Sequence, residues 1–326
     1  MPPRDSHNPL RPSASDPGGG LDLIGDLHGH HEEARRLLER LGYRERDGVF
    51  SHPERIAVFL GDYIDRGPAI LNTLRLVRDM VEAGSAIALM GNHEYNAIAW
   101  FTPRPDQPDV PCRRHTTTRR ELFGRTLDSL GNEVDAWIDW MTRLPLWIDG
   151  ERFRAVHASW DRASVDLLTD LVASGDGRLA ATPMQATCEP GTPPFHAIER
   201  LLKGHEVPLP GDMVLTDPEG SPRRHIRGKW YEMPEGHTYR SYAMTTDESF
   251  PDLAVAHDAV SPDFVPYGRD EPPIFVGHYW MQGSTPSRLA TNVACLDWSV
   301  ARGGPLVSYR FDGETEIDDA KFVWVS

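Results

Sequence analysis

The feature that most constrains the fold is a pattern that occurs three times: an apolar run, then a glycine, then side chains that can bind metals. The apolar runs are Leu21–Ile24, Ile56–Leu60 and Ala86–Met90, and the segments after them are GDLHG at residues 25–29, GDYIDRG at residues 61–67 and GNHE at residues 91–94. Short apolar runs bounded by glycine are typical of buried strands. Open α/β sheets build their sites at the carboxyl ends of such strands. The pattern therefore predicts one sheet edge that carries aspartate, histidine and asparagine.

Helical segments alternate with these strands. Residues 31–41 place apolar side chains on one face, and residues 69–83 follow Pro68, which suits the first turn of a helix. Further strands are predicted at residues 146–148, 153–156, 274–276, 292–296, 306–311 and 322–325. This alternation indicates a layered α/β fold in which two sheets pack face to face between helices.

Composition excludes several classes of protein. The 326 residues are 39% hydrophobic and 25% charged, as in ordinary globular proteins. The net charge of −15 argues against nonspecific nucleic-acid binding, which needs a cationic surface. No stretch approaches the ~20 apolar residues of a membrane span, and the N-terminus lacks the apolar segment of a secretory signal. Three widely spaced cysteines indicate neither a disulfide framework nor a thiolate zinc site. We therefore expect a soluble, cytoplasmic protein.

The chain divides into a tail, a catalytic domain and an insertion. Residues 1–20 have almost nothing to bury and are predicted to be a disordered tail. Residues 21–326 are predicted to form one catalytic domain. Within it, residues 176–273 hold half of the prolines and show only short, broken periodicity. We interpret them as an insertion that packs on the core.

The three segments supply the predicted metal ligands. Asp26 and His28 lie two residues apart in an extended loop, so both side chains can face the same side. With Asp62 they form a first metal site, and Asp62 can also bind a second ion because a carboxylate has two oxygens. Asn92 contributes its amide oxygen to that second ion. These ligands suit two divalent ions, for which Mn²⁺ is preferred and Fe and Zn are alternatives. Such a pair activates a hydroxide for in-line attack on a phosphate ester.

The segments GDLHG, GDYIDRG and GNHE resemble the signature blocks of the calcineurin-like metallophosphoesterase superfamily. The Asp-Arg-Gly sequence and the Glu of GNHE resemble its bacterial phosphoprotein-phosphatase branch. The resemblance implies a four-layer α/β/β/α sandwich with two mixed β-sheets. It also implies two late imidazole ligands, which His157 and His278 supply because each follows a predicted strand. His205 and His257 are the competing positions. After His157 the sequence reads Ala-Ser-Trp where the branch usually has two glycines.

The remaining site residues are predicted to handle protons and phosphate. His93 follows Asn92 directly, and an imidazole can protonate a leaving group near neutral pH. Asp65 can orient that imidazole or cap the following helix, and the family resemblance supports the His–Asp pair. Arg66 offers paired hydrogen bonds to phosphate oxygens, so Arg66 and Asn92 are the predicted substrate-binding residues.

The resemblance to phosphoprotein phosphatases also implies a further phosphate-binding arginine from a later loop, for which Arg302 and the cluster at residues 223–227 are the open alternatives. The basic runs at residues 113–120 and 223–229 are interpreted mainly as solvated surface.

These observations predict a metal-dependent phosphoric ester hydrolase. The preferred substrate is a phosphomonoester, as in a serine/threonine phosphatase. The alternative is a dinucleoside polyphosphate, because the related hydrolases resemble residues 275–280 and the later Cys-Leu-Asp and Gly-Gly sequences. The third hypothesis is a catalytically inactive scaffold. The expected partner is a phosphorylated substrate, either a phosphoprotein or a nucleotide.

Overall fold

The computed structural model describes residues 13–14, 16–174, 177–216, 222–245, 248–256, 258–261 and 264–326. Its α-helices are α1 (His31–Leu41), α2 (Ile70–Glu82), α3 (Asn92–Phe101), α4 (Thr117–Leu130), α5 (Val134–Met141), α6 (Arg162–Ala173), α7 (Ala181–Cys188), α8 (Pro193–Lys203) and α9 (Tyr239–Tyr242). Helix α1 has the predicted bounds, and α2 lies within one residue of its predicted bounds at either end.

Within the described residues, the strands form two five-stranded sheets and three small ribbons. They are β1 (Ser13–Ala14), β2 (Gly20–Ile24), β3 (Arg44–Arg46), β4 (Val49–Ser51), β5 (Arg55–Phe59), β6 (Ala86–Ala88), β7 (Trp147–Asp149), β8 (Arg154–Val156), β9 (Glu206–Pro208), β10 (Leu215–Thr216), β11 (Pro222–Arg223), β12 (His225–Arg227), β13 (Ile274–Val276), β14 (Val293–Cys295), β15 (Leu306–Phe311) and β16 (Phe322–Val325). One large sheet has the order β16-β15-β2-β5-β6, and the other has the order β1-β7-β8-β13-β14.

Both large sheets are mixed. In the first, β2, β5 and β6 run parallel while β15 runs antiparallel to β2. In the second, β8, β13 and β14 run parallel while β7 runs antiparallel to β8. Because parallel neighbours end at the same edge, β2, β5 and β6 all direct their following loops toward one edge of the first sheet.

Alternating side chains explain how the sheets stack. Leu21 and Leu23 of β2 join Phe275 of β13 and Phe311 of β15 in a buried cluster between the sheets. The outer faces pack on helices: buried residues of α1 and α2 cover the first sheet, and α6 and α8 pack with buried residues of the second. Period-2 alternation thus gives each strand one side in the central core and one under a helix. The expected four-layer α/β/β/α sandwich with two mixed β-sheets is confirmed.

The N-terminal residues differ from the prediction where the structure describes them. Residues 1–12 and 15 lie outside the described residues. Ser13–Ala14, however, pairs in parallel with β7, and the Asp16 carboxylate accepts hydrogen bonds of 2.7 and 2.8 Å from Arg152. The prediction of a disordered tail over residues 1–20 is therefore wrong for this last part. The partners of residues 13–16 lie more than 130 residues away in sequence, so local composition does not reveal them.

The insertion at residues 176–273 has two parts. Helices α7 and α8 contribute Met184, Ile198 and Leu201 to the main core. Farther along, Val207, Tyr239 and other side chains form a separate small core. The first part is thus integral to the main core, and the second forms a small core of its own. Among the described residues, no helix is long and apolar enough to cross a membrane.

Candidate metal centre

The predicted ligands meet at one edge of the sandwich. Asp26 and His28 follow β2, Asp62 follows β5, and Asn92 opens α3. His157 follows β8 and His278 follows β13, so the second sheet supplies the two late imidazoles. The backbone amides of Leu27 and His28 both donate to the Asp62 carbonyl, at 3.1 and 2.8 Å, and join the first two loops.

Unusual backbone conformations aim these side chains. His28, Asp62 and His278 have φ values of 42°, 56° and 73°. The left-handed region is costly for residues with a Cβ, and such conformations persist only where the surroundings fix them. Three proposed ligands therefore occupy strained positions that their loops hold in place.

Two glycines allow the loops to approach closely. A Cβ on Gly277 would lie 2.0 Å from Asp26 Oδ1, and a Cβ on Gly91 would lie 2.1 Å from Asp62 Oδ1. Real side chains do not fit at such distances, so only glycine permits the carboxylates to pack against these backbones.

Two groups of potential ligand atoms share one carboxylate. His28, Asp62 and His93 form one group, and Asp26, Asp62 and His157 form the other; within each group the atoms lie within 4.8 Å of one another. Asp62 Oδ2 lies 3.6 Å from His28 Nε2, and Asp62 Oδ1 lies 3.4 Å from His157 Nε2. Asp62 thus lies between the two groups, and its binding of two metal ions stays a prediction.

Asn92 joins the two late imidazoles to the centre. Its Oδ1 lies 3.1 Å from His157 Nε2 and 2.7 Å from His278 Nδ1. The backbone amide of His278 also lies 3.2 Å from Asp26 Oδ2. All six predicted metal-binding residues therefore lie in one cluster.

The ring nitrogens are oriented as metal ligands require. His28 Nδ1 lies 3.0 Å from the Ile64 carbonyl, and His157 Nδ1 lies 2.8 Å from the Leu60 carbonyl. A proton on each Nδ1 directs the Nε2 lone pair toward the centre, which is the usual arrangement of metal-binding histidines. Among the described residues, the buried His28 Nε2 has no hydrogen-bond partner. This donor set fits divalent cations, because it combines buried carboxylates with imidazoles whose lone pairs face inward.

Burial and mutual repulsion also favour a cation here. Burial raises the pKa of Asp26 well above its usual range, and the carboxylates of Asp297 and Asp62 raise it further. Burial lowers the pKa of His28 to about 3, with a further contribution from His93. Two desolvated carboxylates and a neutral imidazole form a site that a divalent ion would stabilise.

His93 and Asp65 form a hydrogen-bonded pair beside this cluster. His93 Nδ1 lies 2.5 Å from Asp65 Oδ2, and the Thr126 hydroxyl donates to the other carboxylate oxygen. Burial lowers the pKa of His93, but the carboxylates of Asp62 and Asp65 outweigh burial and raise that pKa above its usual value. The geometry therefore favours a protonated His93 that Asp65 orients.

Glu94 is a buried carboxylate that joins two loops, a role that the sequence did not predict. Its Oε2 accepts hydrogen bonds from the amides of Asp62 and Gly91, at 2.9 and 3.0 Å, and its Oε1 accepts one from Tyr63 at 2.8 Å. The carboxylate thus ties the loop after β5 to the start of α3. The only sequence signal was the acidic residue three positions after glycine at a helix start.

The loops after β13 and β14 meet through Asp297. Its Oδ2 accepts a hydrogen bond of 2.7 Å from the Trp280 amide, and its Oδ1 accepts one of 3.0 Å from the Ser299 amide. Arg66, from the loop after β5, places its guanidinium 4.3 Å from the Trp280 ring centroid. Asp297 was noted in the sequence only as part of a resemblance, and its long-range partners were not predicted.

The competing positions lie elsewhere or outside the described residues. His205 follows the end of α8, stacks on Phe264 with ring centroids 4.5 Å apart, and is absent from both ligand groups. His257 lies outside the described residues. In the basic runs, Arg113 donates to Asn96 Oδ1 at 2.6 Å and Arg227 pairs with Glu206. Arg227 also contributes to lowering the pKa of His278, after burial and His157.

Comparison with known proteins relates the chain to a family and to several relatives. Residues 21–178 match the family model of the calcineurin-like phosphoesterases. The chain is 32% identical over 141 residues to the asymmetrical bis(5′-nucleosyl)-tetraphosphatase PrpE of Oceanobacillus iheyensis, a match that covers 42% of this chain and 54% of that one. It is 27% identical over 316 residues to the symmetrical bis(5′-nucleosyl)-tetraphosphatase of Chromohalobacter salexigens, which covers 91% of this chain and 97% of that one.

Two further matches complete the comparison. The PrpE enzyme of Halalkalibacterium halodurans is 44% identical over 22% of this chain, which spans only 30% of that relative. A solved cold-active protein tyrosine phosphatase has a TM-score of 0.50 and 16% identity over 96% of this chain and 82% of that one, a likeness of fold alone. The resemblance that the three sequence segments indicate is therefore confirmed.

Proposed function

We propose a function from the premise that the chain belongs to the calcineurin-like phosphoesterases: it hydrolyses dinucleoside polyphosphates at a centre for two divalent metal ions. The observation that carries this proposal is the buried cluster in which Asp62 belongs to both groups of ligand atoms. Asp26, His28, Asp62, Asn92, His157 and His278 are the proposed ligands. Metal ions held there would activate water and neutralise charge on the phosphoryl oxygens.

The chain's own residues complete the chemistry. His93 is proposed to protonate the leaving oxygen, since Asp65 holds its Nδ1 and its Nε2 lies 3.8 Å from Asp62 Oδ2, on the side of the centre. The carboxylates that raise the pKa of His93 keep it protonated in the resting site. Arg66 is proposed to bind phosphoryl oxygens, because a guanidinium donates two parallel hydrogen bonds.

The names of the relatives support the proposed substrate class. The sequence segments favour a serine/threonine phosphatase, but the three relatives compared above are named bis(5′-nucleosyl)-tetraphosphatases, and one of them matches over 91% of this chain. This agreement supports the alternative substrate. Carboxylate, amide and imidazole ligands suit Mn²⁺, Fe and Zn. Of these, Mn²⁺ stays the proposed ion.

A substrate panel tests the proposal. Protein loaded with Mn²⁺ is assayed with diadenosine tetraphosphate, a phosphoserine peptide and an aryl phosphate, and kcat/KM is compared. We expect the tetraphosphate to be the best substrate. A higher kcat/KM for the phosphopeptide would instead establish a protein phosphatase, and no turnover with any substrate would establish an inactive scaffold. Asp62→Asn serves as the control for metal-dependent turnover.

A further inference from the structure

A tryptophan and two arginines form a distinctive cluster beside the proposed centre. The Trp280 ring lies with its centroid 6.2 Å from that of His28, a proposed ligand. The guanidinium carbon of Arg302 lies 3.7 Å from the Trp280 ring centroid, and that of Arg66 lies 4.3 Å from it. A cation near an indole face is attracted to the negative face of the ring. Trp280 therefore brings two guanidinium groups to one ring, whose centroid lies close to a proposed ligand.

The backbone fixes this cluster in place. Trp280 and Ser299 have φ values of 55° and 64°, and both of their amides donate to the single buried carboxylate of Asp297. The Arg302 amide then donates to the Ser299 carbonyl at 2.8 Å in a short 3-10 helix over Val300–Arg302. Asp297 thus connects the loop that carries Trp280 to the loop that carries Arg302.

The backbone of Arg66 is also fixed by a hydrogen bond. Arg66 has a φ of 69°, and its carbonyl accepts a hydrogen bond of 3.0 Å from Arg125 of α4. Arg66 is half-buried whereas Arg302 is exposed. Arg302 is therefore the more solvent-accessible of the two arginines.

We propose that Arg302, positioned by Trp280 and Asp297, binds a second phosphate group of the substrate, next to the one that Arg66 and the metal ions hold. This inference rests on the proposed function, and it gives the substrate chemistry in more detail: a chain of linked phosphates. A guanidinium preorganised on an aromatic ring loses little side-chain freedom when it binds an oxyanion. In a chain with a net charge of −15, two arginines that contact the same ring also provide local attraction for a highly anionic ligand.

Binding measurements with inorganic anions test this subsite. The dissociation constants of tripolyphosphate and of inorganic phosphate are measured by calorimetry on Mn²⁺-loaded wild type, Arg302→Gln and Arg302→Lys. A lost charge-assisted contact predicts that Arg302→Gln weakens tripolyphosphate binding by roughly tenfold or more relative to phosphate. Arg302→Lys should recover only part of this loss, because an ammonium group cannot make the paired hydrogen bonds.

Arg269→Gln is the matched control. Arg269 is exposed and follows Gly268, whose carbonyl accepts a hydrogen bond from Asn292, the residue before β14. It therefore lies near the end of the strand opposite to Asp297, and its removal should leave both dissociation constants unchanged. An equal loss of both anions in Arg302→Gln, or no loss at all, would overturn the proposal.

The outcome is separable from that of the proposed function. If wild type hydrolyses diadenosine tetraphosphate while Arg302→Gln binds tripolyphosphate normally, the function stands and the subsite is refuted. If wild type hydrolyses only phosphomonoesters while Arg302→Gln selectively loses tripolyphosphate, the subsite stands and the proposed substrate is refuted.

Discussion

Asp62 belongs to both groups of potential ligand atoms, and its backbone and side chain also form hydrogen bonds that join the surrounding loops. Its amide donates to Glu94, its carbonyl accepts from the loop after β2, and its Oδ1 accepts a hydrogen bond of 3.0 Å from the His93 amide. The side chain is therefore held before any ion binds. Substitutions at this residue and at His93 separate metal binding from proton transfer.

Asp62→Asn is expected to lose both bound metals and turnover while the fold persists. The amide is nearly isosteric with the carboxylate, but it removes the negative charge that both proposed sites share. Metal content by elemental analysis and secondary structure by circular dichroism check the two parts. If the variant keeps two bound ions and a near-native rate, Asp62 does not bind both metal ions.

His93→Ala is expected to lower kcat by roughly 10²–10⁴-fold, the usual contribution of general acid catalysis. Metal content should stay unchanged if His93 acts as the acid. The loss should shrink for an aryl phosphate with an activated leaving group, because that oxygen needs no proton. An equal loss for all leaving groups would indicate a binding role, and loss of metal would make His93 a ligand.

At the scale of elements, strand ends and helix ends differ in how they hold a side chain. His278 follows β13, which lies between the parallel neighbours β8 and β14 in the second sheet, whereas His205 follows the end of α8 and stacks on Phe264. Sheet edges fix loops on several sides, so they are good supports for a ligand. Helix ends instead gain stability from capping and from contacts with neighbouring helices.

His278→Ala is expected to lose about one metal ion per chain and most of the activity. His205→Ala, a matched histidine that also follows a glycine, should lose neither. Elemental analysis and the rate with the best substrate of the panel decide between them. The opposite result would show that the insertion supplies a metal ligand.

Asp161 caps α6 and links it to α8. Its Oδ2 accepts hydrogen bonds of 2.9 Å from the Ser164 amide and 3.0 Å from Arg200. We expect Asp161→Ala to cost about 1–2 kcal/mol of unfolding free energy, as for other lost helix caps. Asp166→Ala, in the same helix and 4.0 Å from Arg162 at an exposed position, should cost far less.

The stabilisation by Asp161 should depend on pH. Burial raises the pKa of Asp161, but hydrogen bonds from Ser164 and the charge of Arg200 outweigh burial and lower that pKa below its usual value. A carboxyl group whose folded-state pKa is depressed stabilises the protein above its unfolded pKa of about 3.9 and loses this contribution as pH falls through the folded value. The difference in Tm between wild type and Asp161→Ala should hold from pH 7 to pH 5 and shrink below about pH 4.

At the scale of the whole molecule, the strongest local patterns were predictable and the long-range contacts were not. Helix α1 and the strand-end positions of the six proposed ligands follow from the sequence because periodicity and glycine placement are local signals. The first turn of α3, in which Asn92 and His93 lie, was missed, and so were the carboxylate braces of Glu94 and Asp297. The partners of those carboxylates are up to 32 residues away for Glu94 and on two separate loops for Asp297. Sequence spacing does not reveal such pairs.

The buried carboxylates also make whole-molecule stability depend on bound metal. Asp26 and Asp62 lie desolvated in one cluster, so a ligand that binds only the folded state should raise Tm by mass action. We expect Mn²⁺ to raise the Tm of wild type and to have little effect on Asp62→Asn. Burial raises the pKa of Asp62, but the imidazoles of His157, His93 and His28 outweigh burial and lower that pKa well below its usual value. The metal-free variant should therefore melt at a lower temperature than metal-free wild type, because it loses these attractions. Calorimetry with and without chelator measures all four values.

The close approach of Gly277 to Asp26, and of Gly91 to Asp62, also limits how the gene for this protein can vary. Every amino acid other than glycine has a Cβ, and at these two codons that atom would overlap a carboxylate oxygen at 2.0 or 2.1 Å. Conservative missense changes such as Gly→Ala should therefore be as harmful there as radical ones. In a library of all single codons selected for turnover, both positions should keep glycine alone, whereas Gly124 of α4, with nothing within 4 Å of its Cβ and no left-handed φ, should tolerate more replacements.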